Sequence, residues 1–457
     1  MILREAARSV FLDALREVDL RSVLRDAMRI DGSQLWVRGT SYDLALFSQL
    51  LLVAIGKAAV PMAEVALEVL EPALTGGRRL QGIVIGATLP AAPHSAVTFR
   101  LGSHPLPDEG SVAAADLVLD LLREADERTL VLFLISGGAS AMVERPLDPG
   151  LPLADLRAFY QALVHSGLSI TQMNALRKHL SGVKGGRLAV AAGAATQCTL
   201  LVSDVPPGQP DVIGSGLTMP DPTTIADCRA LLRDTGLRAA LPPRVRDFLQ
   251  DPQAPETPKR DHPAFARAAW EILLSSDDLC TAAQAAAHRL GFRTAIDQTP
   301  DDWLYNKAAE YLLDRLQALA SADPHTPVCL ISAGEVAVPV ALSQPGIGGR
   351  NQHFALHCAA RLSGHPQALA VLSAGSDGAD GNSPAAGAVV DGTTVARAHA
   401  LGLEARAALA GYDSFSLLHA IGDALITGPT GNNLRDLRLL LSAPPDPAED
   451  SAPASNP

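Results

Sequence analysis

The sequence predicts an α/β protein built from two domains. Its 457 residues exceed what a single hydrophobic core usually organises. Its apolar content comes mostly from Ala, Leu and Val with only 4% aromatic residues, which is typical of helices packed on sheets. Short apolar runs are repeatedly followed by a Gly-rich turn and then a helical pattern. We therefore expect two α/β domains with mostly parallel sheets.

The strand, turn and helix pattern is clearest at two places. LLVAIG precedes KAAVPMAEVALEVL, and VLFLIS precedes GGASAMV. Further apolar runs predicted as buried strands lie at 82–87, 199–204, 328–334 and 368–375. The segment 422–441 predicts a strand, a Gly-Pro-Thr-Gly turn and a Leu-rich helix. In doubly wound sheets the functional groups follow the C-terminal ends of strands, so the loops after these runs hold the candidate residues.

A change in composition marks the predicted domain boundary. Proline and charged residues cluster between about 236 and 266, where the strand pattern lapses. We predict a first domain at 1–240, a linker or domain edge at 241–266 and a second domain at 267–443. The last residues, 444–457, are rich in Pro, Ala, Ser and acids, and this composition predicts a disordered tail.

Charge and composition exclude several classes of partner. The formal net charge of -12 repels nucleic acid and anionic membrane surfaces. Charged residues interrupt the N-terminal apolar runs, and no apolar stretch reaches the roughly 18 residues of a spanning helix. The five cysteines form no CxxC pair. We expect a cytoplasmic protein with reduced thiols and without nucleic-acid or membrane partners.

Two loops are candidate anion sites. Lys57 stands where an apolar run ends and a helical pattern begins, and a helix N-terminus with a lysine suits an anion. Its alternative is an ordinary surface lysine. The loop after VLFLI offers hydroxyls and unshielded backbone amides for phosphate or carboxylate oxygens, from Ser136, Gly137, Gly138 and Ser140. A tight turn is the alternative for this loop.

A third candidate is a basic segment. Asn174, Arg177 and Lys178 share one helix face by their spacing, so together they could meet one anion. A solvated basic helix is the alternative.

Acidic and basic residues also follow three other predicted strands. Asp204 could hold magnesium or act as a base for a substrate hydroxyl, with a turn cap as the alternative. Glu335 follows the run at 328–334, and GIGGRNQ places Arg350 and Asn351 where a Gly-rich turn enters a helix, suited to phosphate or carboxylate. A solvent-facing arginine is the alternative there. Asp377 lies in SAGSDGADGN, a string that lacks the twelfth-position Glu of a calcium loop.

The sequence contains neither GxxxxGK[ST] nor GxGxxG. GSGLTM and GIGGRN both lack the last glycine of the dinucleotide fingerprint. This weighs against an ordinary NAD dehydrogenase.

Several strings together resemble the glycerate 2-kinase family that ends in a MOFRL domain, some of whose members are labelled hydroxypyruvate reductases. The likeness runs over about 5–440, and it rests on IGKA, SHPLPDEGS, RKHLSGVKGGRLA, VSDV with MPDPTT, GGRNQ, AGSDGADG with VVDGTT, and GDALITGPTGNNLRDL. The sequence departs from the family's usual residues at 139, 207–209, 217 and 333.

The resemblance implies a cleft between two α/β domains, ATP and Mg²⁺ as cofactors, and conversion of D-glycerate to 2-phosphoglycerate. Lys57 and Arg350 match the family's catalytic Lys and Arg, and we infer that Asp204 orients the glycerate hydroxyl or Mg²⁺. A small organic acid and a nucleotide are the expected partners, and a homodimer stays open. Hydroxypyruvate reduction and a non-catalytic organic-acid-binding homologue are the alternatives.

Overall fold

The structure is a computed structural model that describes residues 2–74, 77–206, 208–365 and 368–444. The chain forms two compact units. One, here called the inserted unit, is Leu20–Leu273. The other, the terminal unit, comprises the described residues of Met1–Asp19 and Leu274–Pro457. Both contain helices and a six-stranded sheet, which confirms the α/β class.

The strands of the described residues are β1 (Met28–Asp31), β2 (Gln34–Val37), β3 (Thr40–Asp43), β4 (Gln49–Gly56), β5 (Arg79–Gly86), β6 (Val97–Leu101), β7 (Thr129–Ile135), β8 (Thr196–Val202), β9 (Ala268–Leu274), β10 (Arg293–Ile296), β11 (Val328–Ala333), β12 (Leu369–Gly375), β13 (Gly387–Asp391), β14 (Ala424–Leu425) and β15 (Asp436–Ser442).

The α-helices of the same residues are α1 (Leu3–Glu17), α2 (Leu20–Ala27), α3 (Ala59–Leu70), α4 (Glu109–Arg123), α5 (Ala139–Met142), α6 (Leu153–Val164), α7 (Ile170–Leu180), α8 (Arg187–Ala191), α9 (Ile225–Asp234), α10 (Leu237–Ala240), α11 (Pro243–Gln250), α12 (Ser276–Arg289), α13 (Tyr305–Ala322), α14 (Arg350–Leu362), α15 (Thr394–Ala400), α16 (Ala405–Ala410) and α17 (Ser414–Ala420). Short 3-10 helices span Leu44–Leu46, Glu71–Ala73, Pro210–Ser215 and Pro263–Phe265.

The sheet of the inserted unit has the order β6-β5-β4-β7-β8-β9. The four pairs from β6 to β8 are parallel. All residues of β4 and β7 are buried, which explains why these strands read as continuous apolar runs and not as alternating ones. A separate three-stranded sheet, β1-β2-β3, is antiparallel.

The sheet of the terminal unit has the order β10-β11-β15-β12-β13-β14. Its β10–β11 pair is parallel and its other pairs are antiparallel, so the predicted parallel pairing holds mainly in the inserted unit. The connection between β12 and β13, residues 376–386, contains no helix, so the chain reverses direction there. β15 runs between β11 and β12 and pairs with both in antiparallel register.

The prediction of a Leu-rich helix at the end of the segment 422–441 is wrong. Asp436–Ser442 is strand β15, and all seven of its residues are buried. A short apolar run buried on both faces has neither the helical nor the alternating period. Its neighbours in the sheet determine its conformation.

The two units divide the chain differently from the predicted boundary. Helix α1 belongs to the terminal unit, where it packs against α12 and β12. Arg4 pairs with Asp423, and the Asn432 side chain donates to the Val18 carbonyl over 3.0 Å.

The segment 241–266 lies within the inserted unit and contains α11, whose Val245 and Leu249 are buried. Most of the predicted tail, 445–457, lies outside the described residues. Within those residues, no helix combines the length and apolar character needed to cross a membrane.

Candidate active site

In the inserted unit, the loops that follow β4 and β7 meet. The Lys57 backbone N–H donates to the Gly137 carbonyl over 2.8 Å, and the Ala58 N–H donates to Ser136 Oγ over 3.0 Å. Gly56 has a φ of 128°, and a Cβ on it would lie 2.3 Å from Ser136 Oγ. Only glycine permits this close approach. Neighbouring parallel strands therefore bring the predicted residues Lys57, Ser136 and Gly137 together.

Asp204 follows β8 and lies against the same loops. A Cβ on Gly137 would lie 1.9 Å from Asp204 Oδ2, so the missing side chain leaves room for this carboxylate. A Cβ on Gly138 would lie 3.3 Å from Lys57 Cγ and 3.3 Å from His104 Cδ2. The structure thus places a cation, an imidazole and a carboxylate around the Gly137–Gly138 backbone.

The electrostatics of these loops favour an anion. Lys57 is exposed, and among the residues the structure describes its ammonium forms no ion pair within 4.0 Å. Burial, and secondarily the Lys57 charge, lowers the pKa of His104. This shift disfavours a second positive charge beside Lys57, so the turn presents the Lys57 ammonium on one side and the Asp204 carboxylate on the other.

Ser140 and two of the predicted α7 residues form a second group. Ser140 Oγ lies 2.9 Å from Ser215 Oγ, and Ser215 Oγ donates to Asn174 Oδ1 over 2.9 Å. Arg177 Nη1 donates to the same Asn174 oxygen over 3.4 Å. The Arg177 guanidinium also lies 5.1 Å from the Tyr160 ring centroid. Ser140, Asn174 and Arg177 therefore belong to one polar network.

Lys178 lies in a different environment. Its Nζ is 2.8 Å from Asp211 Oδ2 and 3.2 Å from Asp221 Oδ1, and its side chain is 2% exposed. The lysine is buried between two carboxylates that form ion pairs with its ammonium. The structure thus groups Asn174 with Arg177 and gives Lys178 carboxylate partners instead.

In the terminal unit, Arg350 is the first residue of α14. Its Nε and Nη2 donate to the two Asp436 oxygens over 2.6 and 3.1 Å, and its Nη1 donates to Glu335 Oε2 over 2.6 Å. Burial lowers the pKa of Arg350, but the carboxylates of Asp436 and Glu335 more than offset this and raise it above its ordinary value. This fork-like contact fixes the plane of the guanidinium.

Asp380 caps the start of the same helix. Its carboxylate accepts from the backbone N–H groups of Asn351 and Gln352 over 3.0 and 2.8 Å. It also accepts from their side-chain amides over 3.3 and 2.9 Å. Burial raises the pKa of Asp380 to about 6, although these N–H donors oppose the shift. Asn351 is 1% exposed, and its amide serves this cap.

A second arginine supports Glu335. Arg435 donates to both Asp301 oxygens over 2.6 and 2.7 Å, and the Glu335 backbone N–H donates to Asp301 Oδ1 over 2.9 Å. Burial raises the pKa of Glu335 and Arg350 opposes the shift. Asp301 and Arg435 thereby fix the backbone that presents Glu335 to Arg350.

A cavity of about 500 Å³ opens beside Arg350, and we call it the Arg350 cavity. Asp377 borders it, with Oδ1 accepting from the Ala379 N–H over 3.0 Å. The full lining is Val338, Val340, Pro345, Gly346, Gly348, Gly349, Arg350, His353, Asp377, Ala379, Asp380, Gly381, Asn382, Tyr412 and Ser414. The cavity lies entirely within the terminal unit.

Comparison with known proteins gives matches over most of the chain. A domain of unknown function, DUF4147, matches residues 6–250, and the MOFRL family matches 328–436. The D-glycerate 2-kinase of Thermotoga maritima is 35% identical over 393 residues, which is 85% of this chain and 89% of that protein. The chain belongs to the glycerate 2-kinase family of the MOFRL type.

Two further matches extend this family assignment. An Agrobacterium vitis protein that carries the name hydroxypyruvate reductase is 37% identical over 400 residues, or 86% of each chain. The crystal structure of Thermotoga maritima glycerate kinase matches with a TM-score of 0.81 and 32% identity, covering 96% of this chain and 99% of that one. The family fold therefore extends over both units.

In this member of the glycerate 2-kinase family, sequence reasoning missed the partners that hold Arg350. Asp436 is separated from Arg350 by 86 positions and Asp380 from Gln352 by 28. Asp380 lies in the acidic glycine-rich string that also contains Asp377, so that string was the available signal. Asp436 lies in the segment predicted as a helix, and His104 lies in SHPLPDEGS, to which no role was assigned.

Proposed function

We propose that this protein transfers the terminal phosphoryl group of ATP to D-glycerate and forms 2-phosphoglycerate. The observation that carries the proposal is the grouping of Lys57, Asp204 and the bare Gly137–Gly138 backbone at the ends of parallel strands. Phosphoryl transfer needs charge neutralisation and alignment more than covalent chemistry from the protein. The names of the relatives supply the substrate.

Lys57 and Arg350 are the proposed catalytic cations. Each stabilises negative charge that develops on the transferred group. Asp204 accepts the proton of the attacking glycerate hydroxyl. The hydroxyl oxygen forms the new P–O bond as the bond from the terminal phosphorus to its bridging oxygen breaks, and ADP leaves.

The remaining candidates have two kinds of proposed role. Substrate and nucleotide oxygens are bound by Ser136, Gly137, Gly138, Ser140, Asn174 and Arg177. Glu335 and Asn351 position Arg350, because Glu335 contacts its guanidinium and Asn351 is part of the cap at the start of α14. Asp377 binds the nucleotide. For Lys178 the contacts with Asp211 and Asp221 support a structural role.

Magnesium fits the inserted unit through Asp204. Within the described part of the chain, no group of three or more His, Cys, Asp or Glu side chains could hold a metal ion. Mg²⁺ usually needs only one or two protein carboxylates, with phosphate oxygens and waters as the other ligands. As the alternative to its role as the base, we propose Asp204 as that carboxylate; bound there, the ion would neutralise phosphate charge.

A coupled ADP-release assay across small hydroxy acids tests the proposal, with phosphorus NMR to identify the product. We expect turnover with D-glycerate and a phosphate at the second carbon. No turnover of any hydroxy acid by folded protein, with magnesium or manganese, would refute the kinase.

The same protein titrated with NADH and hydroxypyruvate tests the reductase alternative. Calorimetric binding of glycerate without any effect of ATP would instead favour a non-catalytic acid-binding protein. Cytoplasmic location and a homodimer stay predictions of the sequence.

A further inference from the structure

The Arg350 cavity contains more space and more apolar surface than a three-carbon acid requires. Its volume of about 500 Å³ lies within the ~300–1,000 Å³ typical of pockets for larger organic ligands. We propose that it binds the nucleoside part of the phosphoryl donor, a purine base with its ribose. This inference rests on the proposed kinase function and adds the location of the donor's uncharged part.

One wall of the cavity suits a flat aromatic ligand. The rings of His353 and Tyr412 stack with centroids 5.5 Å apart and an interplanar angle of 17°. Val338, Val340 and Pro345 add apolar surface, and Val340 is 52% exposed. Tyr412 is more exposed than His353, so a purine base could contact the Tyr412 ring and these apolar side chains. Burial of apolar area and ring stacking would stabilise the base.

His353 contributes an imidazole ring to the cavity lining, and a ligand could form hydrogen bonds with this ring. It is 3% exposed and lines the cavity. Among the hydrogen bonds of the described residues, none involves its ring nitrogens. Burial, with a smaller effect of His357, lowers the pKa of His353 to about 4. The neutral ring offers one donor and one acceptor, which complements the amino group and ring nitrogens of a purine.

The charged residues of the cavity lining also favour an uncharged ligand in its interior. Asp377 and Asp380 line the cavity with Arg350, so two carboxylates disfavour a phosphate or a second acid in its interior. An anionic group is favoured only near the guanidinium. The Asp380 oxygens already accept from the start of α14, which leaves Asp377 as the proposed acceptor for a ribose hydroxyl.

The loop that borders the cavity is held in place by side chains. The Gly348 N–H donates to Asn382 Oδ1 over 2.8 Å, and the Ile347 N–H donates to Asp413 Oδ1 over 3.0 Å. The Tyr412 hydroxyl donates to the Pro339 carbonyl over 2.7 Å. These bonds order the cavity wall before a ligand arrives, which lowers the entropic cost of binding.

Adenosine is the probe that tests this inference directly, because it lacks the phosphates that Arg350 would bind. Isothermal titration calorimetry measures adenosine and ATP binding to the full chain and to two variants. Ala379→Trp fills the cavity from an exposed position, and Tyr412→Ala removes one stacked ring. Leu401→Ala is the control, since Leu401 is 60% exposed and outside the lining.

We expect adenosine to compete with ATP in the unmodified chain. Each cavity variant should weaken adenosine and ATP binding about tenfold or more, equivalent to ~1.4 kcal/mol, and raise the KM for ATP. The KM for glycerate should change less than about twofold, as should every constant of Leu401→Ala. Thermal melts establish folding, and Ala379→Trp keeps the test valid if Tyr412→Ala unfolds.

The outcomes separate this inference from the kinase proposal. Weakened adenosine binding in a chain without glycerate turnover supports the nucleoside site and overturns the kinase. Turnover with an altered glycerate KM and unchanged adenosine binding overturns the nucleoside site alone. Absence of adenosine binding, or unchanged binding in Ala379→Trp, also overturns it.

Discussion

Lys57 and Arg350 both follow a glycine near the start of a helix, but the protein holds them differently. At Lys57 the backbone is fixed, through the bond from its N–H to Gly137, while the side chain is exposed. At Arg350 the guanidinium itself is fixed by Asp436 and Glu335. At similar positions the chain therefore presents a lysine ammonium that can adjust its position and an arginine guanidinium whose orientation is fixed.

The inserted unit contains a further contrast within one residue type. Lys57 is exposed, whereas Lys178 is buried between Asp211 and Asp221. We expect substitution at these two lysines to affect different properties, activity at the first and folding stability at the second.

The largest effect is expected from Lys178→Met. It removes the ammonium that lies 3.2 Å from the buried Asp221, and breaking a buried ion pair costs about 3–5 kcal/mol of unfolding free energy. Urea denaturation measures this loss, with Lys307→Met at an exposed position as the control. Unchanged stability with a large loss of activity would make Lys178 an anion-binding residue and remove the contrast with Lys57.

Lys57→Ala and Arg350→Ala test the two proposed cations. Each should lower kcat/KM for glycerate phosphorylation by at least about a hundredfold, as for a preorganised electrostatic contact. The coupled ADP-release assay measures the loss of kcat/KM, and circular dichroism verifies that each variant is folded. A loss below about threefold at both sites would remove both from the mechanism.

Conservative exchange sharpens the comparison of the two side chains. Arg350→Lys cannot keep the paired contact with Asp436, so the loss of charged hydrogen bonds should lower kcat/KM by about tenfold to a hundredfold. Lys57→Arg keeps the charge on an exposed side chain and should lose less than about tenfold. Equal losses would contradict the distinction between an oriented fork and an adaptable charge.

The smallest effect is a pH dependence that comes from Asp380. Its pKa of about 6 leaves the carboxylate ionised at neutral pH and able to accept at the start of α14. Acidification through pH 6 protonates it and weakens this cap, so kcat/KM should fall on the acid side. Asp380→Asn keeps an acceptor oxygen but loses the ionised carboxylate, so its kcat/KM at neutral pH should be lower and its profile should lack this acid limb.

Asp314→Asn, at an exposed position in α13, is the matched control for that profile. It should retain the acid limb of the unmodified protein. An acid limb that persists in Asp380→Asn would assign it to another group. In that case Asp380 would have no part in the difference between Lys57 and Arg350.

The sequence predicted the strands of the inserted unit well because β4 and β7 are buried on both faces and leave uninterrupted apolar runs. It failed at β15, where a similar but shorter run was interpreted as a helix. The loop residues were predicted from strand ends, a local rule. The partners Asp436 and Asp380 required pairing across distant segments, which one sequence does not reveal.

Helix α1 has a consequence for how the chain is made. It packs against α12 and β12, although the whole inserted unit separates it from both in the chain. During synthesis α1 emerges before the inserted unit, and its partners α12 and β12 follow only after that unit is complete. Fusing residue 444 to residue 2 and opening the chain near 20 would place α1 directly after β15, which it also contacts, and refolding of the terminal unit should accelerate.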